Sequence, residues 1–286
     1  MTKSVRDRRG VRAQSGMNRR QFIKNSSLLA GGIAAGHALL PSLENAMAYA
    51  EIVPKEDPRL VRESVRYPGA AGEMRAYLAA PKGSGRLPGV LVVHENRGLN
   101  AHIEDVARRI ASDGFLALAP DALSASGGTP PEQEQAIKLI GQLDAQANTK
   151  NFLAAVQYLR AHPRSGGKIG VVGFCWGGAV ANQLAVHSPD VSAVVPYYGR
   201  QPAEEDVPKI KAALLLHYAG IDEAINKGIP SYEAALKKAG VDYRLHVYEG
   251  AKHAFNNDTN PERYNKEAAD LAWGRTMAFF KEKLRS

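Results

Sequence analysis

At 286 residues, with 44% apolar and 23% charged side chains, the chain has material for one large α/β domain or two small ones, in the proportions of an ordinary globular protein. Its net charge of +8 sits mostly at one end, because residues 1–50 hold eight basic and two acidic side chains and leave the rest of the chain at only +2. A body that close to neutral excludes a basic stripe for nucleic acid, and a single cysteine excludes an intramolecular disulfide.

The basic end has an order of its own. Asn18-Arg19-Arg20-Gln21-Phe22-Ile23-Lys24 resembles a twin-arginine export signal, and a modestly apolar stretch from Ser26 to Leu40 follows it. Small residues then run through Ala46-Met47-Ala48-Tyr49-Ala50. Basic, apolar and small-residue regions in that order are those of a cleaved signal peptide. Residues 1–50 are therefore expected to be removed after Ala48 or Ala50. The folded product is expected in the periplasm or outside the cell, with the twin-arginine machinery as a partner during export. The apolar stretch is too short and too rich in glycine for a lasting membrane anchor. Residues 51–60 read as a linker, and residues 61–286 as a single domain, expected to act as a monomer.

Val61–Tyr67 and Met74–Ala79, separated by Pro68-Gly69-Ala70-Ala71-Gly72, predict two antiparallel strands and a turn. Gly89–His94 is a continuous apolar run, as a strand buried on both faces requires. Asn100 is placed to cap a helix that runs to about Ser112 and is closed by Gly114, and Phe115–Ala119 is another buried strand. Beyond a Ser/Gly/Pro loop over 123–131, helices are predicted from about Pro131 to Leu143 and from Lys150 to Ala161. Strands at 168–174, 191–197, 213–218 and 243–248 alternate with helices at 179–187 and 231–239. A last helix over 261–284 presents Trp273, Met277 and Phe280 on one face. Strands alternating with helices mean an α/β fold with a mainly parallel, doubly wound sheet. In such sheets ligands bind beyond the carboxyl ends of the strands, and most of the chemically useful side chains fall there.

One segment carries the strongest signal. Lys168–Phe174 is a strand, Cys175 follows it, and Trp176-Gly177-Gly178 opens a helix. Gly-x-Cys-x-Gly is a nucleophile elbow with cysteine in place of serine. The turn holds the nucleophile at strained backbone angles, flanking glycines relieve the crowding, and the helix N-terminus favours a thiolate. The order nucleophile, acid, histidine is then met by Asp222, after the strand at 213–218, and by His253, after the strand at 243–248. Glu223 competes for the role of acid, while His217 and His246 lie within strands and read as structural. An oxyanion hole needs two convergent backbone N–H groups, expected from Trp176 and from Asn96.

Gly-Phe-Cys-Trp-Gly-Gly, His94-Glu95, Gly220-x-Asp222 and Gly250-x-x-His253-x-Phe255 together resemble the dienelactone hydrolase family, from about Val61 to Leu284. The resemblance implies an α/β-hydrolase fold and cleavage of a small ester or lactone through a thioester. It casts Cys175 as nucleophile, His253 as base and acid, and Asp222 as its orienter. Glu95 matches the glutamate that contacts the resting thiol and helps to generate the thiolate. Tyr198 and Phe255 fall at the same face and are read as substrate-binding. No cofactor and no metal is implied. Dienelactone-cleaving members hold the substrate carboxylate with arginines, one shortly before the paired helices and one just after the catalytic histidine. Here those stretches read Pro131-Glu132-Gln133-Glu134-Gln135 and His253-Ala254-Phe255-Asn256-Asn257, without arginine. Arg97 and Arg200 are the alternative anion anchors. A broad carboxylesterase or thioesterase, a silent metabolite-binding protein and a redox sensor are the competing readings. The sensor lacks a resolving cysteine.

Overall fold

The structure, a computed structural model, describes residues 51–70, 72–83 and 85–285, and the export signal expected over residues 1–50 lies outside them. Its frame is a sheet of eight strands, β1 (Leu60–Gly69), β2 (Gly72–Pro81), β3 (Leu87–Val93), β4 (Leu116–Pro120), β5 (Ser165–Phe174), β6 (Val191–Tyr197), β7 (Ala213–Ile221) and β8 (Tyr243–Lys252). They lie in the order β1-β2-β4-β3-β5-β6-β7-β8. β1 and β2 form the antiparallel edge hairpin, β2 joins β4 antiparallel, and every pairing from β4 to β8 is parallel. The described residues form one compact unit. This is the expected doubly wound α/β arrangement.

Side-chain alternation splits each central strand between two cores. Val90 and Val92 of β3 join one core, while Leu91 and Val93 join the other. Helix α1 (Ala101–Ser112) covers the first face with Ile103, Val106 and Ile110. The opposite face is covered by α2 (Gln133–Gly141) and α3 (Ala145–Ala161), then by α4 (Trp176–His187). A short α5 (Glu223–Asn226) precedes α6 (Ile229–Ala239), which adds Tyr232 and Leu236 to that second face. The C-terminal α7 (Lys266–Leu284) returns to the first face with Met277 and Phe280. Burying each such side chain contributes about 1.5–3 kcal/mol.

The helix ends show where sequence patterning and structure part. Asn100 caps α1 as expected, accepting from the Ile103 N–H at 3.1 Å, and Gly114 turns the chain away at φ 91°. Helix α3 begins at Ala145 rather than Lys150, because Asp144 accepts from the Ala147 N–H at 2.7 Å. Helix α7 begins at Lys266 rather than Pro261, where Asn265 caps the Ala268 N–H at 3.1 Å. Helix α4 starts at Trp176, directly behind Cys175, rather than at Ala179. Of residues 51–60, read as a linker, Leu60 already opens β1, and residues 51–59 form no regular element but are fastened to α1. The Ile52 and Val53 N–H groups donate to Asp105 at 3.0 and 2.9 Å, and Arg108 Nε donates to the Val53 carbonyl at 2.8 Å.

Candidate active site

The carboxyl ends of β3, β5, β6, β7 and β8 carry the site. Cys175 leaves β5 at φ 56° and ψ −114°, angles that an L residue adopts only under constraint. The Cys175 N–H donates to the Tyr197 carbonyl at 3.0 Å, and its own carbonyl accepts from the Ala179 N–H at 3.2 Å. The neighbouring glycines are demanded by close approach. A Cβ on Gly173 would lie 2.0 Å from the Gly177 carbonyl oxygen, and one on Gly177 would lie 2.3 Å from that of His94. The start of α4 is thereby seated against the end of β3. Cys175 itself is half-buried.

Among the described residues, the non-glycine positions with positive φ are Cys175, Tyr198 at 38° and Ala254 at 67°. Tyr198 follows β6 and Ala254 follows His253, so all of this backbone strain collects at one end of the sheet. Asp222, at the end of β7, and His253, just past β8, meet there. His253 Nδ1 lies 2.5 Å from Asp222 Oδ2. Glu223 is exposed at the start of α5 and is not the partner. The His253 ring rests against buried Tyr198, with ring centres 5.0 Å apart. Fully buried Phe255 packs against Tyr198 and Tyr248. His217 is buried and held through Nδ1 by the Tyr248 hydroxyl at 2.9 Å and through Nε2 by the Thr276 hydroxyl at 3.1 Å, as a structural histidine should be. His246 stacks on it from β8, with ring centres 6.1 Å apart.

Electrostatics keep the sulfur protonated at rest. Burial pushes the Cys175 thiol up to about 11, and the Glu95 carboxylate pushes in the same direction. A hydrogen bond from the Trp176 N–H opposes this, the Asp222 charge adds to it, and Arg263 opposes it again. The thiolate that the helix N-terminus alone would favour is thus not the resting state. Glu95 is only 6% exposed. Its Oε2 accepts from Asn257 Nδ2 at 2.6 Å, while its Oε1 is buried with no hydrogen-bond partner.

Sequence reading singled out neither Asn257 nor Arg263. Asn257 is one of several amides in its stretch, and Arg263 sits ten positions past His253. The two arginines proposed as anion anchors line different cavities. Arg97 lines a cavity of about 300 Å³ with Leu99, His102 and Thr129. Arg200 lines one of about 180 Å³ with Trp176, Ala179 and Gln183. Asn96 follows Glu95 beyond β3, and Trp176 begins α4, so the two residues read as oxyanion donors belong to segments in contact.

Comparison with known proteins identifies the family and the fold. Residues 74–284 match the dienelactone hydrolase family. A protein of Escherichia coli K12, provisionally named a carboxymethylenebutenolidase, is 33% identical over 247 residues, covering 81% of this chain and 90% of its own. One of Methylorubrum extorquens with the same provisional name is 31% identical across 99% of both chains. A crystal structure from Klebsiella pneumoniae, provisionally titled a dienelactone hydrolase, superposes with a TM-score of 0.71 at 28% identity, covering 77% of this chain and 98% of that one. With its eight-stranded, mostly parallel sheet of the α/β-hydrolase type, this chain belongs to the dienelactone hydrolase family.

Proposed function

We propose that the protein hydrolyses a small carboxylic ester or lactone, with Cys175 as nucleophile, His253 as proton carrier and Asp222 as its orienter. The observation that carries this reading is the His253–Asp222 hydrogen bond of 2.5 Å beside a cysteine held at φ 56°. Substrate binding displaces water and brings a carbonyl carbon to the sulfur. The thiol gives up its proton to His253, directly or by way of Glu95, and the thiolate attacks. The oxyanion is received by the N–H groups of Asn96 and Trp176. The C–O bond then breaks as His253 protonates the departing alkoxide, or the enolate of an opened lactone, leaving a thioester on Cys175. Water deprotonated by His253 attacks the thioester, the acid leaves, and the thiol is restored.

Asn257 bears on the substrate. It lies in the stretch after His253 where dienelactone-cleaving members are expected to carry an arginine, and its amide is engaged on Glu95. That favours neutral esters and lactones over substrates bound through a carboxylate from this side, which supports the broader carboxylesterase reading as the second choice. Arg200 remains the anchor for any anionic limb. Its replacement by alanine then raises KM for carboxylated substrates selectively, and equal changes for neutral esters would refute that role. The whole reading is tested by a panel of aryl esters, thioesters and enol-lactones, with the protein beside Cys175→Ala and Cys175→Ser. The alanine variant should lose turnover by several orders of magnitude. We also infer export by the twin-arginine route, tested by fractionating cells that express the Arg19→Lys/Arg20→Lys double variant, which should retain the protein inside.

A further inference from the structure

His94 follows β3, immediately before Glu95, and is completely buried. Its Nε2 lies 3.2 Å from the Ala122 N–H, and its Nδ1 lies 2.6 Å from the Glu95 carbonyl oxygen. These partners dictate the tautomer. A backbone N–H can only donate, so Nε2 holds a lone pair, and a carbonyl can only accept, so Nδ1 carries the proton. Burial lowers the pKa of the ring, against the opposing influence of the Glu95 carbonyl and the Asp121 carboxylate, which keeps the imidazole neutral. The ring face stacks on the indole of Trp176 with centres 5.3 Å apart and planes 13° apart.

The Glu95 carbonyl and the Asn96 N–H belong to the same peptide plane. In a trans peptide these groups point in opposite directions. A hydrogen bond that fixes the carbonyl toward His94 therefore fixes the Asn96 N–H away from it. The other nitrogen is anchored to a loop tied by further hydrogen bonds. Asp121 accepts from the Leu123 N–H at 2.9 Å and from the Thr129 N–H at 2.7 Å, and Thr129 Oγ1 accepts from the Leu99 N–H at 2.9 Å. One ring thus touches the segment of each backbone donor.

We propose that His94 is a positioning residue that aims the Asn96 N–H through the Glu95–Asn96 peptide and holds Trp176 beside it, setting the oxyanion hole before substrate arrives. This rests on the reading of Asn96 and Trp176 as the oxyanion donors. Preorganised donors act where charge develops in the transition state, so their misalignment reduces kcat and leaves ground-state binding nearly untouched.

Three substitutions divide the functions of the ring. His94→Asn places an amide near Nδ1 and keeps the bond to the Glu95 carbonyl. His94→Gln places one near Nε2 and keeps only the bond from Ala122, and His94→Phe keeps only the stack. The expected order of kcat on an activated ester is wild type, then Asn within about tenfold, then Gln and Phe lower by about 10²-fold, the size of one lost donor. KM should stay within about twofold, and alkylation of Cys175 by iodoacetamide should proceed at the wild-type rate.

A kcat that follows melting temperature instead of this order, or an unchanged kcat in His94→Phe, would overturn the proposal. Should the variants fail to fold, the wild-type protein answers by ¹⁵N NMR. The Nδ1–H tautomer is expected from pH 6 to 9, with its proton resonance moving when Cys175 forms a hemithioketal with a trifluoromethyl ketone. An Nε2–H tautomer, or a resonance that does not move, would overturn it. The two readings separate cleanly. Wild-type turnover that survives in Cys175→Ala would remove the oxyanion assignment itself, whereas a dead Cys175→Ala beside a fully active His94→Phe would remove only the role of His94.

Discussion

Asn257 Nδ2 donates a 2.6 Å hydrogen bond to Oε2 of Glu95, holding one carboxylate oxygen and leaving Oε1 buried without a partner beside the thiol's surroundings. Two residues 162 positions apart thereby set the state of a third. The Glu95 charge helps to hold Cys175 protonated, and the same carboxylate is a proposed acceptor of its proton.

Glu95→Gln should therefore act in opposite directions on two measurements. Removing the negative charge removes a repulsion against the thiolate, so the pKa of Cys175 falls from about 11. Each unit of fall multiplies the thiolate fraction tenfold, and alkylation by iodoacetamide at pH 8 should quicken by about tenfold. Turnover should drop by about tenfold or more as the proton acceptor is lost. Slower alkylation would contradict the assigned electrostatics.

The raised thiol pKa also predicts how stability varies with pH. Between the ordinary cysteine value of 9.0 and the folded value of about 11, the unfolded chain loses the thiol proton while the folded protein keeps it. The folded state binds more protons in that window, so this contribution is fully present below pH 9 and is lost as pH rises toward 11. Two units correspond to about 3 kcal/mol at most. Denaturant unfolding from pH 8 to 11 should show Cys175→Ala losing less stability than wild type by about 2–3 kcal/mol. Parallel curves would contradict the burial of the sulfur.

Asp222→Asn should reduce kcat by about 10²–10⁴-fold, since an amide cannot stabilise the imidazolium and permits the wrong tautomer. Glu223→Gln, on the exposed first turn of α5, should change kcat by less than about twofold. Steady-state kinetics of the pair decides between the two acids.

Two glycines should respond in opposite ways to alanine. Gly177→Ala forces a Cβ to 2.3 Å from the His94 carbonyl oxygen and should cost more than about 3 kcal/mol, or abolish soluble expression. Gly274, within α7, has open space where a Cβ would stand. Gly274→Ala should raise stability by about 0.5–1 kcal/mol. Thermal unfolding of both variants tests the difference.

The central strands were legible because burial on both faces leaves an unbroken apolar run, and Val90 to Val93 is such a run. Helix starts were less so. The onset of α3 depends on one hydrogen bond from Asp144, and the first turn of α4 was hidden by Gly177 and Gly178, poor helix formers that the close approach of β3 and β6 requires. At the site, Cys175, Asp222 and His253 could be read from the sequence because each follows a recognisable strand in the order that the elbow dictates. The Asn257–Glu95 bond and the bond from the Ala122 N–H to His94 could not. They join residues far apart in the chain, for which no local pattern exists. The fastening of Val53 to α1 was hidden for the same reason.

Acyl transfer through the sulfur of Cys175 leaves an intermediate that can be trapped. The protein is quenched in acid during turnover of an activated ester, and the intact mass and the peptide bearing residue 175 are measured. A mass increase of one acyl group on that peptide, released by neutral hydroxylamine and absent from Cys175→Ala, is the expected result. Undiminished turnover by Cys175→Ala, or an acyl group found on another residue, would rule out Cys175 as the nucleophile.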